Sequence, residues 1–144
     1  AGMLHDIGQF LLDQCFEEEY RQVFEYQQEH QCSLSEAEFK ILHIGHGKVG
    51  AVAVRHWKLP DHLAEVALRH DHPPSEGEVH PLVDLVHIAN IVVKGLWVVP
   101  EDQEPIGTIC EASLDRLGWS WQRVETLFPE IEKRSHEMID RMMQ

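Results

Sequence analysis

Apolar residues recur along the chain at spacings of three and four, the period that places side chains on one face of an α-helix. In the first segment, residues 3–14, this stripe consists of Leu4, Ile7 and Leu11. No stretch shows the strict alternation of apolar and polar residues between hairpin signals that marks a half-buried strand. The sequence therefore predicts an all-α fold, which we expect to be a helical bundle.

Caps and prolines divide the rest of the chain into further predicted helices. Ser35 followed by Glu38 has the form of a capping box, so a helix is expected to start near Ser35 and run through Leu42. Pro60 suits the first turn of a helix, whereas the adjacent Pro73 and Pro74 require a loop. The other predicted helices are 17–30, 47–57, one after Pro60, 81–98, 108–117, and one or two over 119–144 that Pro129 restarts or kinks.

Length and charge narrow the class of protein. A chain of 144 residues is expected to form a single domain, here spanning 1–144. Its net charge is −13, and both halves of the chain share the excess of acidic residues. Binding to duplex DNA or to anionic lipid requires clustered Lys and Arg, which no segment supplies. We therefore expect neither a nucleic acid nor a membrane as partner.

Cysteine usage and hydropathy predict a cytoplasmic location. Cys15, Cys32 and Cys110 are odd in number and widely spaced, which fits neither a disulfide framework nor a paired zinc motif. The longest apolar stretch, residues 82–99, is interrupted by polar and charged side chains and does not suit a membrane span. The first residues resemble the middle of a helix, so the chain is expected to begin inside an element.

Histidine is the most unusual component, with 11 in the chain. The pair His5-Asp6 stands in an apolar segment, where ionisable groups are costly to bury unless they have partners. An imidazole beside a carboxylate can bind a divalent cation. A buried hydrogen-bonded pair that fixes helix packing is the alternative, and these residues alone do not decide between the two.

Four segments together resemble the HDOD domain, the HD-related output domain of bacterial signalling proteins, which is related to metal-dependent HD phosphohydrolases. They are Leu4-His5-Asp6-Ile7-Gly8, Gly45-His46-Gly47-Lys48-Val49-Gly50-Ala51, Trp57-Lys58-Leu59-Pro60 and Arg69-His70-Asp71-His72-Pro73. The resemblance covers most of residues 1–100 and implies an all-α, HD-type bundle. It also implies a helical portion upstream of His5 that this chain does not contain.

The resemblance implies a metal site with departures from the catalytic pattern. His5, Asp6, His46 and His70 match ligand positions for a divalent metal such as Fe, Mn, Mg, Zn or Ni. Asp71 stands where a second histidine is expected, and Asn90 stands in place of an aspartate. The residues expected to line the site are Asp71, His72, Asn90 and Lys48. The segment from Pro73 to Pro81 contains no tyrosine, which excludes the HD-GYP branch that cleaves cyclic dinucleotides.

These departures favour a non-catalytic signalling domain that contacts a signalling protein or an adjacent receiver or output domain, with homo-oligomers a further expectation. Two alternatives remain at this point. One is a metal-dependent phosphohydrolase in which bound metal activates water and Lys48 or Arg69 steadies phosphate charge. The other is a sensor whose cluster binds a metal or small ligand without turnover.

Overall fold

The computed structural model describes residues 1–96 and 107–142, apart from the side chains of Leu96, Ser135, Ile139 and Met142. Over these residues the chain forms eight α-helices and no strand, which confirms the all-α prediction. The helices are α1 Ile7–Cys15, α2 Glu17–His30, α3 Leu34–Leu42, α4 His46–His56, α5 Asp61–Arg69, α6 Pro81–Leu96, α7 Glu111–Leu117 and α8 Trp121–Met142.

Helix α4 lies at the centre of the N-terminal part and packs against both α1 and α5. Helices α2 and α3 pack on each other, and α2 also contacts α1. Helix α5 contacts α6, which in turn supports α7 and the first part of α8. The two ends of the described chain are therefore linked through α5 and α6.

Buried apolar side chains form three clusters that follow this order. The first joins α1, α2 and α3 around Leu12, Tyr20 and Val23. The second lies between α4 and α5, and the third joins α6 to α8 through contacts such as Ile88 with Val124. Burial of these side chains supplies the main driving force for the fold.

Two glycines let α4 approach its neighbours more closely than a side chain would permit. A Cβ atom on Gly8 of α1 would lie 1.9 Å from the carbonyl oxygen of His46. A Cβ atom on Gly47 of α4 would lie 2.9 Å from the carbonyl oxygen of Ala67 on α5. The backbones of α1, α4 and α5 therefore meet directly around the first turn of α4.

Two local predictions are wrong. Residues 2–6 form turns and α1 begins at Ile7, so His5-Asp6 precedes the helix instead of lying inside it. The capping box of α3 is formed by Ser33 and Glu36, two residues before the expected pair. Both pairs satisfy the same sequence pattern, and the tertiary contacts of Ser35 and Glu38 described below explain which pair is used.

The C-terminal helices agree more closely with prediction. Gly118 ends α7 in a left-handed conformation with φ of 64°. Helix α8 is continuous through Pro129, so the proline does not restart a second helix there. Trp119 is partly buried against the third cluster, Trp121 is exposed, and Trp97 lies outside the described residues. None of the helices in the described ranges is both long and apolar enough to cross a membrane.

Candidate functional site

Three helix ends meet at a cluster of imidazole and carboxylate side chains. His5 and Asp6 lie in the turns that lead into α1, His46 is the first residue of α4, and His70 and Asp71 follow the end of α5. The close approach of α4 to α1 and α5 brings these ends together. We call these five residues the His/Asp cluster.

The two carboxylates of the cluster lie between the three imidazole rings. Oδ2 of Asp6 is 2.9 Å from Nε2 of His5, and Oδ1 of Asp6 is 3.0 Å from Nε2 of His70 and 3.7 Å from Nε2 of His46. Asp71 reaches Nε2 of His46 at 3.2 Å and Nε2 of His70 at 3.3 Å. Nε2 is therefore the atom that each imidazole directs into the cluster.

The other ring nitrogen of each imidazole is committed to an oxygen acceptor. Nδ1 of His5 donates to the carbonyl of Gly2 at 2.6 Å, and Nδ1 of His70 donates to the carbonyl of Ala67 at 3.1 Å. Nδ1 of His46 donates to the carboxylate of Glu38 at 2.7 Å. An imidazole that donates from Nδ1 leaves Nε2 for a second proton or for a metal ion.

The donor set of the cluster fits a divalent cation. His5, Asp6 and His70 present ligand atoms within 4.8 Å of one another, as do His46, His70 and Asp71. Nε2 of His5 and of His70 are buried and lack a hydrogen bond of good geometry, although carboxylate oxygens lie close by. A lone pair facing a carboxylate in a buried position is unfavourable without a proton or cation between them. Imidazole nitrogen with carboxylate oxygen suits first-row ions such as Zn, Mn and Fe.

Neighbouring charges shift the protonation of the cluster. Burial opposes the charged form of each group, but hydrogen bonds with Asp71 and Glu38 outweigh it and raise the pKa of His46 to about 10. Burial likewise opposes ionisation of Asp6, yet interactions with His5 and His70 hold the pKa of that carboxyl well below its usual range. Against burial, contacts with His46 lower the pKa of Asp71. The carboxylates are thus charged, and a cation would displace the Nε2 proton of His46.

Glu38 holds His46 on the side of the ring that faces away from the cluster. It was not among the residues predicted for the site. Its side chain is fully buried, and its carboxylate accepts hydrogen bonds from Tyr20 Oη at 2.6 Å and from the backbone N–H of His46 at 2.7 Å. With the bond from Nδ1 of His46, three donors fix this carboxylate. Ser35 similarly donates from Oγ to Asp71 at 2.7 Å. The sequence did contain one signal for this role: Glu38 falls on the face of α3 that carries apolar residues.

The other three expected lining residues differ from the cluster in burial. Lys48 on α4 and His72 after α5 are exposed, and His72 is not among the described His, Cys, Asp and Glu side chains that share ligand distances. Asn90 is half-buried on α6. Of the eight predicted site residues, the structure brings together His5, Asp6, His46, His70 and Asp71.

His87 does not bond to Asn90, the partner that their spacing on α6 suggests. Its Nδ1 donates to the carbonyl oxygen of His70 at 2.7 Å, and its Nε2 accepts the backbone N–H of Cys110 at 3.0 Å. Burial lowers the pKa of His87, which keeps the ring neutral in this double role. This imidazole therefore holds the backbone of a cluster residue.

Comparison with known proteins agrees with this geometry. The sequence model of the HDOD domain matches residues 1–73, about half of the chain and the part that contains the whole His/Asp cluster. An uncharacterized protein of Treponema pallidum (strain Nichols) is 25% identical over 107 residues, which cover 73% of this chain and 21% of that protein. The chain thus spans about a fifth of the length of that relative. No solved structure matches the chain significantly. The match over residues 1–73 and the all-α fold show that the chain belongs to the HDOD domain family.

Proposed function

We propose that this HDOD domain is a non-catalytic signalling module whose His/Asp cluster binds a divalent cation. The observation that carries the proposal is the orientation of the three imidazoles. Each commits Nδ1 to an oxygen acceptor and directs Nε2 toward Asp6 or Asp71. In metal sites, an acceptor bonded to the far nitrogen of a histidine usually fixes its tautomer in this way.

The charges around the cluster support binding without turnover. Within the described ranges, the ion-pair partners of Asp6 and Asp71 are histidines, and no Lys or Arg side chain joins them. Besides a metal ion, enzymes that transfer phosphoryl groups commonly use Lys or Arg side chains to offset the charge developing on the phosphoryl oxygens. Lys48 and Arg69 were the candidates for this role in the hydrolase alternative; Lys48 is exposed, and among the described residues neither side chain is an ion-pair partner of Asp6 or Asp71.

A bound cation would hold α1, α4 and α5 together at their meeting point. It would lie among two carboxylates that otherwise face each other across the three imidazoles. We propose that the domain then acts through contacts with a signalling protein, an adjacent receiver or output domain, or a second copy of itself. Its location is proposed to be the cytoplasm, supported by free thiols at Cys15, Cys32 and Cys110.

A phosphodiesterase assay separates this proposal from hydrolysis. Asp71 is the residue that favours the hydrolytic alternative. Its carboxylate supplies a ligand at the position where the family resemblance leads us to expect a second histidine. The unmodified chain and the Asp6→Asn variant are incubated with Mn²⁺ and bis(p-nitrophenyl) phosphate. We expect Mn²⁺ binding by titration calorimetry and no release of nitrophenol above the protein-free rate. Turnover that requires Mn²⁺ and disappears in Asp6→Asn would overturn the non-catalytic proposal.

A further inference from the structure

His70 connects the cluster to the C-terminal helices. Its Nε2 lies 3.0 Å from Asp6, whereas its backbone carbonyl accepts the hydrogen bond from Nδ1 of His87 at 2.7 Å. Nε2 of His87 then accepts the backbone N–H of Cys110, which immediately precedes α7, at 3.0 Å. One buried imidazole thus joins the backbone of a cluster residue to the start of α7.

The loop that follows His70 is held by further contacts from the same helices. Arg116 on α7 donates from Nη1 to the carbonyl oxygen of Pro74 at 2.9 Å. The same guanidinium makes two hydrogen bonds to the buried carboxylate of Asp84 on α6, at 2.9 Å and 2.7 Å. Sγ of Cys110 lies 4.0 Å from the carbonyl oxygen of Pro73. We call His87, Cys110 and Arg116 together the clamp.

A cation in the cluster and the clamp would restrict the same piece of backbone. The cation would fix the side chains of His70 and Asp71, while the clamp contacts the carbonyl groups of His70, Pro73 and Pro74. When two interactions each reduce the freedom of one segment, the first to form lowers the entropic cost of the second. The two interactions are then positively coupled, and the coupling must be equal in both directions.

We propose that cation binding at the His/Asp cluster and docking of α7 are thermodynamically coupled through the clamp. This inference rests on the proposed cation site and adds its regulation: occupancy of the cluster controls how firmly α7 is held. Helix α7 and the helix that follows it lie beyond residues 1–73, the part that the family match covers. His87 and Arg116 are positioning residues, because the bonds that they make to His70 and Pro74 go to backbone carbonyl groups.

Hydrogen exchange on the unmodified chain tests the coupling without any substitution. Exchange is followed by mass spectrometry with and without Mn²⁺ at a concentration that calorimetry shows to be saturating. We expect Mn²⁺ to slow exchange in peptides that cover 108–118 by about fivefold or more, the lower range of typical coupling. Peptides from the exposed second half of α8, which the clamp does not contact, serve as the internal control and should not change.

The His87→Leu variant tests the same coupling from the opposite direction. Leucine fills a similar volume but can neither donate to His70 nor accept from Cys110. We expect Mn²⁺ to bind about fivefold or more weakly to this variant, and to bind with unchanged affinity to the exposed-site control His30→Leu. If His87→Leu fails to fold, the exchange measurement on the unmodified chain still decides the question.

The outcomes separate this inference from the function on which it rests. Mn²⁺ binding to the unmodified chain with unchanged exchange over residues 108–118, or with full affinity in folded His87→Leu, would overturn the coupling and leave the cation site intact. If the unmodified chain does not bind Mn²⁺, the cation site and the coupling both fail. Slowed exchange over residues 108–118 together with weakened binding in His87→Leu would support both.

Discussion

Glu38 determines how His46 meets the rest of the cluster. Its buried carboxylate binds both the Nδ1 proton and the backbone N–H of His46. The Tyr20 hydroxyl occupies the other oxygen, and burial together with Glu38 raises the pKa of that hydroxyl, so it remains a donor. A carboxylate that orients a histidine in this way increases the ability of the far nitrogen to bind metal.

The Glu38→Gln variant tests this role with a nearly isosteric side chain. Its amide nitrogen replaces either the oxygen that faces Tyr20, so that the Tyr20 hydroxyl must turn to accept, or the oxygen that accepts both bonds from His46, and in either case the negative charge is lost. We expect Mn²⁺ affinity to fall by about 10-fold to 100-fold and the free energy of unfolding to fall by about 1–3 kcal/mol. Calorimetry and urea unfolding measure the two effects. Glu36→Gln, at an exposed position on the same helix, is the matched control; equal Mn²⁺ affinity in the two variants would contradict the role of Glu38.

The raised pKa of His46 predicts that protons and cations compete for its Nε2. With a pKa of about 10 in the folded state, His46 carries a second proton at neutral pH. This protonated form stabilises the cation-free protein fully below the unfolded pKa of about 6.5, and the contribution is lost as pH rises toward the folded pKa. Metal binding removes the proton, so affinity should increase with pH by up to about tenfold per unit.

Calorimetry across about pH 6 to about pH 8.5 checks this dependence, since unperturbed imidazoles titrate near the lower end of that window. Mn²⁺ affinity should continue to rise well above pH 7 in the unmodified chain. The His46→Gln variant lacks this proton and should bind more weakly, with a smaller rise of affinity above pH 7. A plateau of affinity at neutral pH in the unmodified chain would show that His46 is not protonated there.

At the scale of the elements, close contact between backbones forms the cluster. Gly8 lets the N-terminus of α1 rest on the first turn of α4, and Gly47 does the same for α4 and α5. The helix ends that carry His5, His46 and His70 then converge. The cluster therefore depends on the interhelical distances, which local helix propensity does not set.

The Gly8→Ala variant should disrupt both the packing and the site. Its methyl group would lie 1.9 Å from the carbonyl oxygen of His46, so α1 must move away from α4. We expect a loss of about 1–3 kcal/mol in the free energy of unfolding, as for an overpacked core, and a loss of measurable Mn²⁺ binding. Gly95→Ala in α6 meets no atom within 4 Å and should instead be neutral or stabilising. Urea unfolding of the two variants in parallel decides, and equal stability would contradict the close-packing explanation.

Sequence patterns predicted the elements better than the contacts between them. The helix of residues 61–69 follows Pro60 as expected, because proline geometry acts locally. The choice between the Ser33/Glu36 and Ser35/Glu38 capping boxes could not be made from sequence, since both satisfy one rule. The partners of Glu38 lie 18 and 8 residues away, and only the folded chain brings them close.

The same difference between local patterns and long-range contacts explains which parts of the site could be predicted. His5, Asp6, His46 and His70 were placed together from a family resemblance, and the distances between them agree with that grouping. The bonds of His87 to His70 and Cys110 were missed, because they span 17 and 23 residues and follow no helical spacing. Separations of that kind are set by the packing of α6 and not by any pattern in the sequence.

At the scale of the whole molecule, a buried ion pair fastens the C-terminal helices to the loop that follows α5. The carboxylate of Asp84 is 1% exposed and receives two hydrogen bonds from Arg116, which also binds the carbonyl of Pro74. A bidentate pair of this kind fixes geometry as well as supplying energy. The orientation of α7 relative to α5 therefore depends on it.

Removal of one partner of this pair should be more damaging than removal of both. Arg116→Gln leaves the charge of Asp84 buried without compensation, and we expect a loss of about 3–5 kcal/mol in the free energy of unfolding. The double variant Asp84→Asn/Arg116→Gln should recover part of that loss. Arg134→Gln, which removes an exposed pair with Glu130, should change stability by less than about 1 kcal/mol. Urea unfolding compares the three, and a double variant no more stable than Arg116→Gln would contradict the assigned role.

The most direct test of the central claim is the metal content of the protein purified without a histidine tag or chelator. Elemental analysis compares the unmodified chain with Asp6→Asn, in which the carboxylate nearest to His5 and His70 becomes neutral, and with the control Asp13→Asn on α1. We predict near-stoichiometric divalent metal in the unmodified chain and in Asp13→Asn, and its loss in Asp6→Asn. If neither the unmodified chain nor the control retains metal, and neither takes up added Mn²⁺, the His/Asp cluster is not a cation site.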